Sequence, residues 1–221
     1  QLVRSHVPDI IVSDVMMPRM NGYELCKTIK EDIAISHIPV ILLTAKDDKQ
    51  SLISGYKNGA DGYLSKPFEV EMLMELIRNR LKNREYTKKR YLNAGLIPTP
   101  EESTISLTDE TFLIKLNSII QENIENSNLG IQFICQEVGL GRSSLYNKLK
   151  ALTGMGANEY ISKLRIEKAI TLISGTDMPF SEIAEKTGFT TPSYFSTTFK
   201  QYTGETPSQY KERKKKGLAG K

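Results

Sequence analysis

The sequence lacks a long hydrophobic run and contains little cysteine. No apolar run among its 221 residues approaches the ~18 residues of a membrane-spanning helix, so we expect no direct membrane contact by this chain. The two cysteines, Cys26 and Cys135, fall in separate predicted domains inside helical patterns. They provide neither a disulfide framework nor a metal cluster, and we predict reduced core or near-core side chains in a cytoplasmic setting. The net charge of +4 is too small to indicate a nucleic-acid partner by itself.

The composition is otherwise typical of a globular protein. Hydrophobic residues make up 39% of the chain, apolar positions recur at helical spacing, and the length suits two domains of ordinary size. Positive charge increases towards the C-terminal half, where Lys211–Lys216 is the densest basic cluster. We expect that cluster to lie in a frayed, solvated terminus.

A pattern in the second half occurs twice, over Val138–Gly154 and again over Thr187–Gly204. In each copy a short apolar-periodic helix precedes a glycine, Gly139 or Gly188, at which a tight turn needs a positive φ. A second helix follows, with apolar residues at i, i+4 and i+7 that face the core. Two helix-turn-helix copies indicate a DNA-binding protein.

The polar face of each second helix is the predicted DNA-binding surface. A recognition helix presents hydrogen-bonding side chains to the major groove, where each base pair shows its own donors and acceptors. We expect the first helix to dominate sequence readout, because Arg142, Lys148 and Lys150 make it locally cationic with no acid to offset them. For the second helix, a merely solvated polar face remains an alternative. The candidate DNA contacts are Arg142, Ser143, Tyr146, Asn147 and Lys150 in the first copy and Thr191, Ser193, Ser196, Thr197 and Lys200 in the second.

One continuous helix, predicted over Ala157–Ser174 and ended by Gly175, connects the two copies. Its length of about 25 Å suits a strut between recognition helices in successive major grooves. Lys163 and Lys168 are possible phosphate contacts. For Arg165 we favour a structural ion pair, with Glu182 or Glu185 as its partner.

Residues 108–213 resemble the DNA-binding domain of AraC-type (AraC/XylS) transcription regulators. The second copy carries that family's signature in Ser181–Phe189, Tyr194-Phe195, Phe199-Lys200 and Gly204–Tyr210. The resemblance implies an all-α domain with two helix-turn-helix motifs. It also implies binding as dimers to repeated DNA sites near promoters.

The first half alternates strands with helices. Apolar strands are predicted to end at Asp14, at Thr44-Ala45 and at Lys66-Pro67, with a helix from about Gly22 after the first. This order predicts a parallel sheet whose ligand site lies at the carboxyl ends of its strands. A carboxylate there that accepts a phosphoryl group needs a cation and a hydroxyl near the incoming oxygens, roles that suit Lys66 and Thr44.

Residues 1–81 resemble the later two-thirds of a response-regulator receiver domain, a flavodoxin-like fold. The resemblance makes Asp14 the phosphoacceptor and Met16 the residue whose backbone carbonyl binds Mg²⁺. It makes Thr44, Tyr63 and Lys66 the switch residues, with Lys66-Pro67 cis. The family's first strand, with its acidic Mg²⁺ ligands, its first helix and its second strand have no counterpart here.

That departure has two expected consequences. Asp14 and one carbonyl supply too few ligands for Mg²⁺, so we predict that this chain accepts phosphate poorly and that Mg²⁺ belongs to the intact receiver. The Asp9–Asp14 strand is left as an exposed apolar edge, which invites pairing with another chain and favours a homodimer.

The predicted organisation is a partial receiver (1–81), a connector (82–107), the DNA-binding domain (108–213) and a basic tail (214–221). In the connector, Lys82–Arg90 is expected to extend the preceding helix. Regular structure should then stop at Gly95, Pro98 and Pro100. The next helix is expected to be capped by Thr108–Glu110. A connector of this length favours a signal passed by dimerisation.

These features together predict a transcription regulator of a two-component phosphorelay, controlled by aspartyl phosphorylation in the intact protein. Its partners would be double-stranded DNA and a histidine kinase domain. A hybrid sensor is a compatible origin, with the parent protein anchored in the inner membrane. An aspartyl-phosphate phosphohydrolase is disfavoured because Met16 stands where such enzymes carry a second Asp. A receiver acting only as a phosphate sink or interaction module is the alternative.

Overall fold

The computed structural model describes residues 2–45, 59–94 and 106–219. These form two compact units. The first consists of Gln1–Ile114 with Leu140–Gly154, and the second of Lys115–Gly139 with Met155–Lys221.

The first unit is built on a parallel sheet of order β1-β2-β3. Its strands are β1 (Ile11–Asp14), β2 (Val40–Ala45) and β3 (Gly62–Lys66). Asp14 lies opposite Leu43, and Thr44 lies opposite Ser65. The predicted order of strands and helices and the parallel sheet are therefore confirmed.

Among the described residues, three helices accompany this sheet, namely α1 (Leu2–His6), α2 (Gly22–Glu31) and α3 (Val70–Ala94). Helix α2 buries its apolar face, including Cys26 and Ile29, against the sheet. Asn21 and Glu24 form a capping box that begins α2. The core beneath α2 contains Cys26, Ile29, Ile38, Val40 and Leu42. Burial raises the pKa of the Cys26 thiol to about 11, so Cys26 is a protonated core residue, and both cysteines are buried as predicted.

The second half of the chain is helical. Its helices are α4 (Leu107–Glu122), α5 (Ile131–Val138), α6 (Arg142–Thr153), α7 (Ala157–Gly175), α8 (Phe180–Lys186), α9 (Pro192–Thr203) and α10 (Pro207–Ala219). Helix α6 belongs to the first unit, and α4 begins in the first unit and ends in the second.

The core of the second unit is aromatic and aliphatic. Phe195 and Phe199 of α9 are fully buried and meet at 5.7 Å between ring centroids, in an edge-on arrangement. Phe189 and Tyr210 contact them from either side. Ile166, Ala169 and Ile173 of α7 complete the cluster.

Three details differ from expectation. Helix α7 includes Gly175, and its C-cap is Thr176, whose hydroxyl donates to the Leu172 carbonyl at 2.8 Å. The basic segment from Lys211 is not a frayed tail but lies in α10, because Lys211 pairs with Asp177 and Arg213 with Glu205. Thr108–Glu110 lies inside α4, which begins at Leu107, instead of capping it, and the Asp109 carboxylate is buried.

Helix α3 continues through Ala94, so the connector begins with a helix as predicted. Gly95, Pro98 and Pro100 lie outside the described residues. Within the described part of the chain, no helix combines the length and the apolar character needed to cross a membrane.

Candidate functional sites

The carboxyl ends of β1 and β3 bring Asp14 and Lys66 into an ion pair. The backbone N–H of Met16 donates to the Asp14 carboxylate at 3.1 Å. The hydrogen bond from Lys66, and then that from Met16, holds the pKa of Asp14 below its ordinary value. Both side chains are partly exposed. The strand ends therefore present an ionised, accessible carboxylate beside a cation.

Thr44 and Tyr63 lie on the strands next to this pair. Thr44 is buried, and its hydroxyl makes a long hydrogen bond of 3.4 Å to the Ala45 carbonyl. It follows Leu43, the residue that pairs with Asp14. Tyr63 is half-buried on β3. The register thus places the Thr44 hydroxyl one position beyond the residue that lies opposite Asp14.

The loop after β1 approaches the start of α2 closely at Gly22. A Cβ at this position would lie 2.4 Å from the Asp14 carbonyl oxygen, so only glycine fits. The Gly22 N–H donates to the Val15 carbonyl at 2.9 Å, which closes the loop. The Lys66-Pro67 bond is cis, as predicted.

The residues at this site do not fit a firmly held Mg²⁺. Asp14 is already engaged by Lys66, and the described residues contain no group of three His, Cys, Asp or Glu side chains arranged to hold a metal ion. Mg²⁺ requires near-octahedral oxygen coordination. One carboxylate and the Met16 carbonyl supply fewer oxygen ligands than this coordination needs.

The predicted DNA-binding face of α6 is only partly as expected. Arg142, Ser143, Tyr146 and Lys150 are exposed, and Asn147 is half-buried. Lys148 is fully buried. The prediction that Lys148 adds to an uncompensated cationic surface is therefore wrong.

Lys148 is neutralised by an acid that is distant in sequence. Its ammonium contacts the Asp109 carboxylate and donates to the Ser36 hydroxyl at 2.8 Å, while that hydroxyl donates to Asp109 at 2.7 Å. Burial alone would raise the pKa of Asp109, but Lys148 and the hydroxyl hydrogen bonds hold it below its ordinary value. Ser36, Asp109 and Lys148, which we call the buried triad, were not predicted as a group.

The second helix-turn-helix is formed by α8 and α9. Gly188 in the turn has a φ of +72°, and a Cβ there would lie 2.2 Å from the Ile124 carbonyl. Gly139, in the same position of the first copy, also has a φ of +72°. Both glycine predictions are confirmed.

The polar side chains of α9 lie mainly in solvent. Thr191 is its N-cap and accepts a hydrogen bond from the Tyr194 N–H at 3.2 Å, so this residue has a structural role that the sequence analysis did not assign. Of the remaining candidates on α9, Ser196 is half-buried and the other three are exposed, namely Ser193, Thr197 and Lys200.

Arg165 of α7 is buried, as expected for a structural residue, but its partner is not Glu182 or Glu185. Its guanidinium donates to the Asn126 carbonyl at 2.7 Å and lies 5.9 Å from the centre of the Phe189 ring. The other two basic residues of this helix contact acids, Lys163 with Glu167 at 3.9 Å and Lys168 with Glu125 at 3.1 Å.

Comparison with known proteins matches both halves of the chain. The family model "Response regulator receiver domain" matches residues 1–78, and the model "Helix-turn-helix domain" matches residues 134–213. The "Probable transcriptional regulator ycf29" of Pyropia yezoensis is 32% identical over 162 residues, which cover 68% of this chain and 73% of that protein. The chain belongs to the response regulators. Its fold is a receiver segment followed by a helix-turn-helix domain.

Two further proteins are similar to all or part of this response regulator. "Histidine kinase P4" of Formosa agariphila is 42% identical over 213 residues, which are 96% of this chain but 16% of that kinase. The solved C-terminal domain of AraT, a response regulator from Geobacillus stearothermophilus, is 30% identical with a TM-score of 0.45, and the match covers 50% of this chain and 88% of that domain.

Proposed function

We propose that this chain binds specific DNA sequences as the output segment of a two-component phosphorelay. The observation that carries the proposal is the pair of helices, α6 and α9, each preceded by a glycine turn and each bearing accessible polar side chains. Tyr146, Asn147 and Lys150 are the proposed readers on α6, with Arg142 and Ser143 at its N-terminus. On α9 the proposed contacts are Thr191, Ser193, Ser196, Thr197 and Lys200.

The proposed control is phosphorylation of Asp14 in the intact protein by a histidine kinase domain. Support comes from the ionised Asp14 beside Lys66 and from the match to the receiver model. Thr44, Tyr63 and Lys66 are the proposed switch residues. The metal site of the described residues is incomplete, so we expect Mg²⁺ to act there only in an intact receiver.

Selection of bound sequences from a random DNA pool at ~0.15 M salt tests the proposal, because nonspecific phosphate contacts are weakened there. We expect enrichment of two short motifs about one helical turn apart. A folded chain that enriches no motif would contradict specific readout and would favour the second candidate, a phosphate sink or interaction module.

Substitutions on α6 separate base readout from phosphate contact. Asn147→Ala should weaken specific binding by about 1–3 kcal/mol and spare random DNA, because an Asn side chain can pair with adenine through two hydrogen bonds. Lys150→Ala should weaken binding to both kinds of DNA. Lys82→Ala, on the exposed side of α3, is the charge-matched control and should change neither. Equal losses on specific and random DNA for Asn147→Ala would show that Asn147 reads no base.

A homodimer is the proposed assembly. Strand β1 lies at the edge of the described sheet, and its Val12 is 38% exposed, so a second β1 strand can pair with it. Sedimentation should show concentration-dependent dimers that Val12→Lys weakens. A strict monomer at high concentration would contradict the proposal.

A further inference from the structure

We infer that a cavity in the first unit, at the amino ends of the strands, binds a small oxyanion of the phosphate class. The cavity has a volume of about 130 Å³, and we call it the basic cavity. Its lining includes Arg80 and Arg84 of α3, His37 of the loop before β2 and Lys30 of α2. The proposed function assigns no role to these four side chains.

The basic cavity is separate from the site at Asp14. His37 precedes β2, and Asp61, which also lines the cavity, immediately precedes β3. Asp14 lies at the carboxyl end of β1. Because the strands are parallel, these two groups of residues lie at opposite ends of the sheet. The six residues of β2 span about 20 Å, so an anion in the cavity does not contact the proposed phosphoacceptor.

Both acids that line the basic cavity are already neutralised. Asp61 contacts the Lys30 ammonium at 2.7 Å, and Asp109 contacts Lys148 within the buried triad. The Lys30 ammonium also donates to two backbone carbonyls of the loop before β2, which occupies its three N–H donors. These two acids therefore leave no charge over for the other cations of the cavity.

Arg80 and Arg84 are lining cations with which no described buried acid pairs. They lie four residues apart on α3 and hence on the same face of the helix. The Nε atoms of both are buried and have no hydrogen-bond partner among the described residues. Arg84 lies 3.6 Å from the Asp9 carboxylate, which is 87% exposed and therefore compensates the charge weakly. Burial lowers the pKa of Arg84, as expected for a guanidinium withdrawn from water.

His37 supplies a third donor. It is 7% exposed, and within the described part of the chain neither ring nitrogen has a hydrogen-bond partner. Buried polar groups in folded proteins nearly always have such a partner. Burial keeps the pKa of His37 far below neutrality, so the ring is neutral and carries one N–H. An oxyanion in the cavity would accept that N–H.

The set of donors favours a phosphate group over a carboxylate. A guanidinium binds phosphate oxygens through two parallel hydrogen bonds, and a tetrahedral phosphate has enough oxygens to accept from both arginines and from His37 together. A carboxylate has two oxygens, which one guanidinium already occupies. The volume agrees, because a cavity of about 150 Å³ holds a molecule of the size of benzene, which is larger than a phosphate ion.

Calorimetric titration of the full chain with inorganic phosphate tests the site. At neutral pH and constant ionic strength we expect saturable binding with a dissociation constant of about 1 mM or less. Arg80→Met should weaken binding by about tenfold or more, because a hydrogen bond to a charged group contributes about that factor. Arg78→Met is the matched control, since Arg78 is an exposed cation of the same helix that contacts Glu75, and it should keep the parent's affinity.

Two outcomes of the titration would overturn the proposal. One is equal phosphate affinity in Arg80→Met and Arg78→Met, which would place the bound ion elsewhere on the chain. The other is the lack of saturable binding by the parent below about 10 mM phosphate, which would leave the basic cavity to water.

The imidazole resonances of His37 locate the phosphate without any substitution, and this readout remains if Arg80→Met fails to fold. The chain has two histidines, and the other, His6, is exposed and does not line the basic cavity. Saturation with phosphate at constant pH should shift the ring ¹⁵N resonances of His37 and leave those of His6 in place. His37 resonances that do not move while phosphate saturates the chain would overturn the proposal.

Methyl phosphate and acetate identify the ligand more closely. Tighter binding of inorganic phosphate than of methyl phosphate would support the free ion as the ligand, and the reverse would support the phosphoryl group of a small molecule. Acetate should bind at least about tenfold more weakly than phosphate, and equal affinities would overturn the assignment to the phosphate class. None of these measurements involves DNA or Asp14, so they decide the basic cavity whether or not the proposed function holds.

Discussion

The ion pair between Asp14 and Lys66 lowers the pKa of the proposed phosphoacceptor. Lys66 is the largest cause of the lowered pKa of Asp14, so Lys66→Met should raise that pKa towards the ordinary value for an aspartate. The carboxyl ¹³C shift of Asp14, followed from pH 2 to pH 7, measures it.

Arg78→Met is the control for Lys66→Met. Arg78 is an exposed cation of the same segment that contacts Glu75, and its loss should leave the Asp14 titration unchanged. An Asp14 pKa that is the same in Lys66→Met and in the parent would show that the ion pair does not form in solution.

Lys148 shows what the sequence could and could not reveal about a single residue. It lies three residues after Leu145 and four before Leu152, both of them core residues, so helical spacing already places it on the buried face. Its cationic character led to its assignment to the surface. Its partners lie 39 and 112 residues away in sequence, and no local pattern connects them.

At the scale of elements, the two glycine turns make a matched pair for testing backbone strain against a steric clash. Gly139 and Gly188 have the same φ of +72°, but a Cβ at Gly139 would meet no atom within 4 Å, whereas one at Gly188 would lie 2.2 Å from the Ile124 carbonyl. Gly139→Ala should therefore cost about 1–2 kcal/mol of unfolding free energy, the cost of a left-handed conformation.

Gly188→Ala should cost more than about 3 kcal/mol, because the clash with a carbonyl and with the buried Arg165 adds to the same strain. Urea denaturation of both variants measures the difference. Equal losses for the two substitutions would mean that the turn of the second helix-turn-helix relaxes away from Ile124.

Most elements were predictable because their apolar residues recur with a clear period. The strands ending at Asp14, at Thr44-Ala45 and at Lys66, and the helices around the two glycine turns, follow directly from that periodicity. Helix α10 was missed because a run of basic residues has no apolar period. It is held instead by Tyr210 in the core and by Lys211 and Arg213 in ion pairs.

At the scale of the whole molecule, a buried histidine in the loop before β2 makes stability depend on pH. His37 is 7% exposed, and neither ring nitrogen has a hydrogen-bond partner among the described residues. Burial, and then the charge of Lys148, lowers its pKa to about 3, with Arg84 and Lys30 acting in the same direction and Asp109 opposing them. His37 is therefore neutral in the folded chain at neutral pH.

The consequence is a loss of stability in acid. Above about pH 6.5, the pKa of histidine in the unfolded chain, His37 is neutral in both the folded and the unfolded chain. The contribution of His37 to the free energy of unfolding is then fully present. As the pH falls below that value, the unfolded chain binds a proton that the folded chain does not bind until about pH 3. The free energy of unfolding should then fall by up to about 1.4 kcal/mol per pH unit from this residue alone.

His37→Gln should remove this part of the pH dependence. Between pH 6 and pH 4 the variant's free energy of unfolding, measured by urea denaturation, should fall less steeply than the parent's by about 1 kcal/mol per pH unit. The chain has two histidines, and the other, His6, is exposed, so His6→Gln is the matched control and should keep the parent's slope. The carboxylates are common to all three chains, so the difference between the slopes reports the histidine that is changed. Parallel slopes for His37→Gln and the parent would mean that His37 takes up its proton in the folded state, and hence that its surroundings admit a charged imidazole beside Lys148.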